Sequence, residues 1–108
     1  MQRGDLITVA LQGDAGKPRP ALVIQANHFA SLPTLIVLPL TSTILDLPLV
    51  RVTVEPDAGT GLRQPSQVMI SRPQFLPRRR AGPVIGRLDA TALLEVTRRL
   101  AVLLGIAA

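Results

Sequence analysis

Between Pro20 and Leu45 the chain carries no Asp, Glu, Lys or Arg. A stretch this free of charge is long enough to span a bilayer. Its own residues argue against lipid. Pro20, Pro33 and Pro39 interrupt it, and Gln25, Asn27, His28 and Ser31 sit inside it. No continuous membrane-spanning helix survives that pattern. What remains is two short apolar runs, Ala21-Leu22-Val23-Ile24-Gln25 and Thr34 to Leu40, each of strand length and each suited to full burial.

The neighbouring segments follow the same habit. Asp5 to Leu11 is short and rich in β-branched residues, which predicts a strand. Gln12 to Pro18 reads as a loop, and Ala26 to Pro33 as a connector. Leu49 to Glu55 alternates apolar and polar residues and predicts a half-exposed strand. Pro56 to Leu62 is a Gly-rich turn, and Gln67 to Ile70 is another short strand. Five or six short strands with this Gly and Pro punctuation predict a mainly β protein built as a small antiparallel barrel. With 108 residues, one domain spanning 1–108 is expected. A core of that size is limited, and pairing with a second copy would bury more apolar surface.

The chain changes character near its end. Leu93, Val96, Leu100, Leu103 and Leu104 recur at helical spacing, with Asp89 in place as N-cap and Gly105 as stop. Glu95 stands four residues before Arg99, the spacing of a helical ion pair. This terminal helix is expected to lay its leucine face on the barrel.

Composition excludes several kinds of chemistry. There is no cysteine, hence no disulfide framework, thiolate nucleophile or cysteine-built zinc site. A single histidine, His28, excludes a multi-histidine metal cage within one chain. It falls in the Ala26–Pro33 connector and is expected to face solvent. Two phenylalanines, without Trp or Tyr, leave little for base stacking. No glycine pattern forms a phosphate-cradling loop ahead of a helix. No metal or other cofactor is expected. The segment after Met1 lacks the apolar stretch of a secretory signal, so a cytoplasmic protein is expected.

Charge is uneven. The net charge is +5. Arg3, Lys17 and Arg19 are balanced by Asp5, Asp14 and Asp46 in the first half. The second half sets nine arginines against Glu55, Asp57, Asp89 and Glu95, and so holds the whole excess. Guanidinium forks match phosphates and carboxylates, which points to a polyanion or an acidic protein as partner. Arg19 is held between Pro18 and Pro20 just ahead of a buried strand, a stiff mounting for a guanidinium. Thr41, Ser42 and Thr43 place three hydroxyls at the end of the second buried strand. Arg78-Arg79-Arg80 forms a basic run after Pro77, suited to phosphate or to an acidic protein.

These pieces, in this order, resemble the MazF/PemK/Kid toxins of bacterial toxin–antitoxin modules. The matching segments are Arg3-Gly4-Asp5-Leu6, Lys17-Pro18-Arg19-Pro20-Ala21-Leu22-Val23-Ile24, Pro39-Leu40-Thr41-Ser42, Gln67-Val68-Met69, Ile85-Gly86-Arg87-Leu88 and the leucine-rich terminal helix. The resemblance runs over nearly the whole chain. It implies an SH3-like barrel with a C-terminal helix, a homodimer, and sequence-specific cleavage of single-stranded RNA without a metal. It further implies an acidic antitoxin of the MazE/PemI/Kis type whose flexible tail occupies the RNA groove. By position, Arg19 matches the family's catalytic arginine and Thr41 its active-site threonine. Some members carry an acidic residue after the strand that matches Gln67 to Ile70, and this chain has Ser71 there, followed by Arg72. Lys17, Ser42, Thr43, Ser71, Arg72, Arg78, Arg79 and Arg80 are RNA-contact candidates, and the Gln12–Pro18 loop is expected to cover the site. Two other readings stay open. One is a toxin of the same fold that binds a protein such as DNA gyrase, although the Leu103–Ala108 end lacks an aromatic for that contact. The other is an inactive RNA-binding barrel, to which Ser71 is the only pointer.

Overall fold

The uncharged stretch contributes to two of the seven antiparallel strands among the described residues. The computed structural model describes residues 1–11 and 16–108; Gln12, Gly13, Asp14 and Ala15, and with them most of the expected covering loop, lie outside the described residues. The strands are β1 (Asp5–Ala10), β2 (Pro18–Val23), β3 (Thr34–Thr41), β4 (Arg51–Val54), β5 (Ser66–Met69), β6 (Gln74–Pro77) and β7 (Val84–Arg87), followed by helix α1 (Ala90–Leu103). Along the sheet the order is β4-β5-β3-β2-β1-β7. β3 is the long strand that makes the curl possible. One edge pairs with β2, while the other is shared between β6 along Thr34–Val37 and β5 at Leu40 and Thr41.

The apolar runs are continuous because the strands are buried on both faces. Leu6, Leu22, Leu38 and Leu40 point into the main core with Val52, Val54, Leu62, Val68, Ile70, Leu88 and Val96. Their sequence neighbours Ile7, Val9, Ala21, Val23, Leu35 and Val37 form a second core with Leu11 and Leu76. Burying one such aliphatic side chain stabilises the fold by roughly 1.5–3 kcal/mol. Truncating Leu38, fully buried, to Ala would cost about 2–5 kcal/mol.

The two ends of the sheet meet along a glycine seam. The segment after β4 is held in shape by Thr60, whose N–H donates to Asp57 Oδ1 (2.8 Å) and whose hydroxyl donates to the Glu55 carbonyl (3.2 Å). From there the Gly59 carbonyl accepts from the Arg87 N–H of β7 at 2.8 Å. Gly61 (φ +68°) and Gly86 let the two backbones touch: a β-carbon at Gly61 would stand 2.0 Å from the Ile85 carbonyl oxygen.

The helix begins and ends as expected. The Asp89 carboxylate accepts from the Ala92 N–H at 2.8 Å, which satisfies one of the open donors of the first turn. At the other end Gly105 (φ +75°) donates to Val102, and Ile106 donates to Ala101, the paired bonds of a glycine-terminated helix. Glu95 and Arg99 form the expected ion pair at 2.8 Å.

The leucine face is only half used. Val96 is buried, and Ala92, Leu93 and Leu100 pack partly against the main core. Leu103 (44% exposed) and Leu104 (59%) do not pack on the barrel as the spacing predicted. The helix rests against β4, a strand of four residues. At 1.5 Å per residue the helix outruns it, and its last turn has no sheet beneath it. Two strands were not anticipated from local pattern alone, β6 and β7. Both are four residues long, and Pro77 or Gly86 interrupts the usual strand composition.

Candidate active site

The barrel is open at the end where β2 begins and β3 finishes. An open cleft of about 660 Å³ lies there, lined by Thr8, Pro18, Arg19, Pro20, Leu40, Thr41, Ser42, Gly61, Leu62, Arg63, Gln64, Ser66 and Ile85. Its floor is the top of the main core, since Leu40 and Leu62 belong to both.

The neighbouring strands β2 and β3 bring Arg19 and Thr41 to one cleft. β2 and β3 pair Ala21 with Pro39. Arg19 and Thr41 stand two residues beyond that pair on their own strands, and both line the cleft. On its other side Arg19 pairs with Val9 of β1. Both residues are half-buried. Pro18 and Pro20 are themselves strand residues, so the rigid mounting read from the sequence is part of the sheet. The Thr41 hydroxyl accepts from the Thr43 N–H at 3.2 Å. That contact uses the oxygen's lone pair and leaves the O–H to be donated into the cleft.

The loop between β4 and β5 adds a second guanidinium. Arg63 and Gln64 are exposed there and line the cleft beside Ser66. Neither was singled out from the sequence. The signal was present in Arg63-Gln64-Pro65, a basic and polar pair ahead of a proline in the loop leading to β5, but nothing local said which end of the barrel that loop reaches. Among the described residues that line the cleft none is acidic. Arg19 and Arg63 both line the cleft, and guanidinium forks match phosphate oxygens.

Of the other candidates, one joins this group. Ser42 lines the cleft; Thr43 does not, and serves through its backbone instead. Lys17 is exposed one residue ahead of the lining Pro18. β5 enters with Ser66 at the cleft and runs away from it, so Ser71 and Arg72 follow its far end, exposed. Arg78, Arg79 and Arg80 form a 3-10 turn after β6. The Arg78 guanidinium donates to the carbonyls of Leu32 (2.9 Å) and Phe29 (3.4 Å), tying down the β2–β3 connector. Arg79 and Arg80 are exposed and do not line the cleft. His28 is exposed in that connector, its ring edge-on to Phe29 at 5.3 Å between centroids. Among the described residues no cluster of three or more His, Asp or Glu could hold a metal ion. No described helix is long and apolar enough to cross a membrane.

Known proteins share this architecture and sequence. A family model described as "PemK-like, MazF-like toxin of type II toxin-antitoxin system" matches residues 2–104. The chain is 41% identical over 108 residues to a Mycolicibacterium smegmatis protein named "Probable endoribonuclease MazF", with 99% of each covered. Among solved structures, the Mycobacterium tuberculosis toxin MazF-mt6 superposes with a TM-score of 0.79 at 26% identity, covering 94% of this chain and 96% of that one. A MazE-MazF structure from Deinococcus radiodurans gives 0.78 at 27% identity, covering 97% and 95%. The curled sheet, the terminal helix and the matched sequence together place this chain in the PemK/MazF-like toxin family of type II toxin–antitoxin systems.

Proposed function

We propose that this toxin is an endoribonuclease that holds a phosphodiester of single-stranded RNA between Arg19 and Thr41. The observation that carries the reading is that Arg19 and Thr41, on the paired strands β2 and β3, line one open cleft together with Arg63. RNA supplies its own nucleophile. The 2′-oxygen attacks the adjacent phosphorus while its proton leaves, the bond to the 5′-oxygen breaks, and that oxygen takes a proton. The products are a 2′,3′-cyclic phosphate and a 5′-hydroxyl.

The protein then has two tasks, to hold the attacking and leaving oxygens in line and to stabilise charge growing on phosphate oxygens. A guanidinium is a donor-only fork and suits the second task. The Arg19 side chain stabilises the phosphate and the departing 5′-oxygen, and Thr41 donates one further hydrogen bond. Arg63, Ser42 and Lys17 hold the flanking backbone. The 41% identity to a named endoribonuclease over the full chain supports cleavage over a purely RNA-binding barrel.

The same cleft explains a partner. The Deinococcus toxin was solved with MazE. An acidic antitoxin segment carries carboxylates that compete for the arginines a phosphate would use. The working toxin is a cytoplasmic homodimer, each copy contributing one such domain and the exposed apolar residues of α1 covered in the assembly.

The test is a digest of a long mixed-sequence RNA by purified protein, with EDTA present, followed by end analysis. Wild type is expected to give cyclic-phosphate and 5′-hydroxyl ends at defined sites. Arg19→Ala is expected to lose about 100- to 1000-fold in rate, the cost of removing one transition-state donor, with its fold intact. Undiminished cleavage by that variant would remove Arg19 from the mechanism. RNA protection without cleavage by the wild type would favour the inactive barrel.

A further inference from the structure

At Thr41 the chain leaves β3 and enters residues 43–47, which have no regular structure. Every residue from Ser42 to Leu49 is exposed. Ile44, Leu45 and Leu47 are 50%, 45% and 44% exposed, so burial contributes little to fixing this segment. A stretch with few buried contacts belongs to the easily opened part of a fold. Yet it carries one of the cleft's hydroxyls, Ser42, and follows directly on another, Thr41.

Two side chains from the sheet hold it. Gln67 of β5 lies directly across the ladder from Thr41 and is 4% exposed. Its Oε1 accepts from the Leu45 N–H (3.1 Å) and from Arg51 Nη1 (2.9 Å). Its Nε2 donates to the Leu45 carbonyl (3.0 Å) and to Thr53 Oγ1 (3.2 Å). A carboxamide has two donors and two acceptor positions, and here all four are used. Arg51 of β4 donates from the same Nη1 to the Thr43 carbonyl at 3.1 Å. Thr43 in turn donates its N–H to the Thr41 hydroxyl. The chain of contacts runs from Gln67 and Arg51, through the Thr43 backbone, to the oxygen that faces the cleft.

We propose that Arg51 and Gln67 are positioning residues for RNA cleavage, which set the Thr41 hydroxyl and orient its proton toward the phosphate without touching the RNA. The proposal rests on the assignment of Thr41 to the phosphate made above. Neither side chain lines the cleft, so each acts through the 43–45 backbone. Releasing the Thr43 carbonyl lets the following turn drift. The Thr41 hydroxyl then loses the donor that fixes its lone pair.

The experiment measures kcat and KM on a single-stranded RNA oligonucleotide that contains one cleavage site, in wild-type and Thr41→Ala backgrounds. Arg51→Ala is expected to lower kcat about tenfold or more, as small misplacements of a reacting group do, with KM within about threefold. In the Thr41→Ala background the same change is expected to cost less than about twofold, because both act on one contact. Arg51→Lys is expected to restore part of kcat, since an ammonium can still donate to the Thr43 carbonyl. Should Arg51→Ala melt several degrees early, the kcat and KM of Arg51→Lys decide. A loss confined to KM, or an equal loss in both backgrounds, overturns the proposal by making Arg51 a direct RNA contact or an independent one. If Thr41→Ala alone costs nothing, the assignment of the cleft fails, and the proposal with it.

Discussion

Gly86 lies flat against the backbone of Thr60. A β-carbon built on Gly86 would stand 2.3 Å from both the carbonyl carbon and the carbonyl oxygen of Thr60 and 2.5 Å from the Gly59 oxygen. These are backbone atoms that cannot rotate away. The contact joins β7 to the segment after β4, the two ends of the curled sheet, and the same segment continues into Gly61, Leu62 and Arg63 at the cleft. Gly86→Ala is therefore expected to destabilise the protein by about 2–3 kcal/mol, in the upper range for overpacking. A fall in the urea midpoint at unchanged slope checks it, and loss of RNA cleavage at temperatures where the variant is still folded would show that the seam also sets the cleft wall.

Arg63 is the second guanidinium of the cleft. It is exposed on a loop, where a cation acts mainly by neutralising phosphate and releasing counterions. Arg63→Ala is expected to raise KM several-fold with little change in kcat. The salt dependence should flatten by about 0.7 in the slope of log affinity against log salt, the value for one phosphate on a single strand. Binding titrations of an uncleavable RNA at several salt concentrations measure it, and an unchanged slope would remove Arg63 from the phosphate contacts.

Asp5 ties three parts of the chain together. Its carboxylate accepts from the Gln2 N–H at 2.7 Å and from the Arg87 guanidinium of β7. The Asp5 side chain is 10% exposed, while that of Arg87 is 51% exposed, so solvent screens the pair. A double-mutant cycle of Asp5→Ala and Arg87→Ala is expected to give a coupling of about 0.5–1 kcal/mol by denaturation, the range of a partly exposed ion pair. A coupling near zero would leave Asp5 with the turn bond to Gln2 alone.

The helix caps separate two kinds of stabilisation. Asp89→Ala removes the bond to the Ala92 N–H and is expected to cost about 1 kcal/mol. At Gly105 a β-carbon would meet nothing within 4 Å, but φ is +75°. Gly105→Ala is expected to cost about 1 kcal/mol through backbone conformation alone. Both are read by thermal or urea unfolding. Neither change should alter kcat, since neither residue lines the cleft.

Much of the architecture was legible before any coordinates. The uncharged run broken by prolines marked β2 and β3, the alternation at Leu49–Glu55 marked β4, and the leucine spacing with Asp89 and Gly105 marked α1 and its ends. β6 and β7 escaped because strands of four residues that contain Pro77 or Gly86 have almost no local pattern; pairing with β3 and β1 makes them strands. The basic run Arg78–Arg80 shows the same limit. Its charge was plain, but the fold spends Arg78 on the carbonyls of Leu32 and Phe29 rather than on the cleft.

The order of residues alone determined which segments are buried, where the helix starts and stops, and that Arg19 rides on a stiff backbone. Those properties depend on neighbours a few positions away, so they can be read along the chain. Only the tertiary structure decided which charges share a space. Pairing of β2 with β3 brought Arg19 and Thr41 to one cleft, and the glycine seam carried Arg63 to the same opening. Gln67 came to lie across the ladder from Thr41, within reach of the loop that follows it. Each of these meetings joins residues more than twenty positions apart, and hydrogen-bond register and close backbone contact, which no local pattern encodes, bring them together.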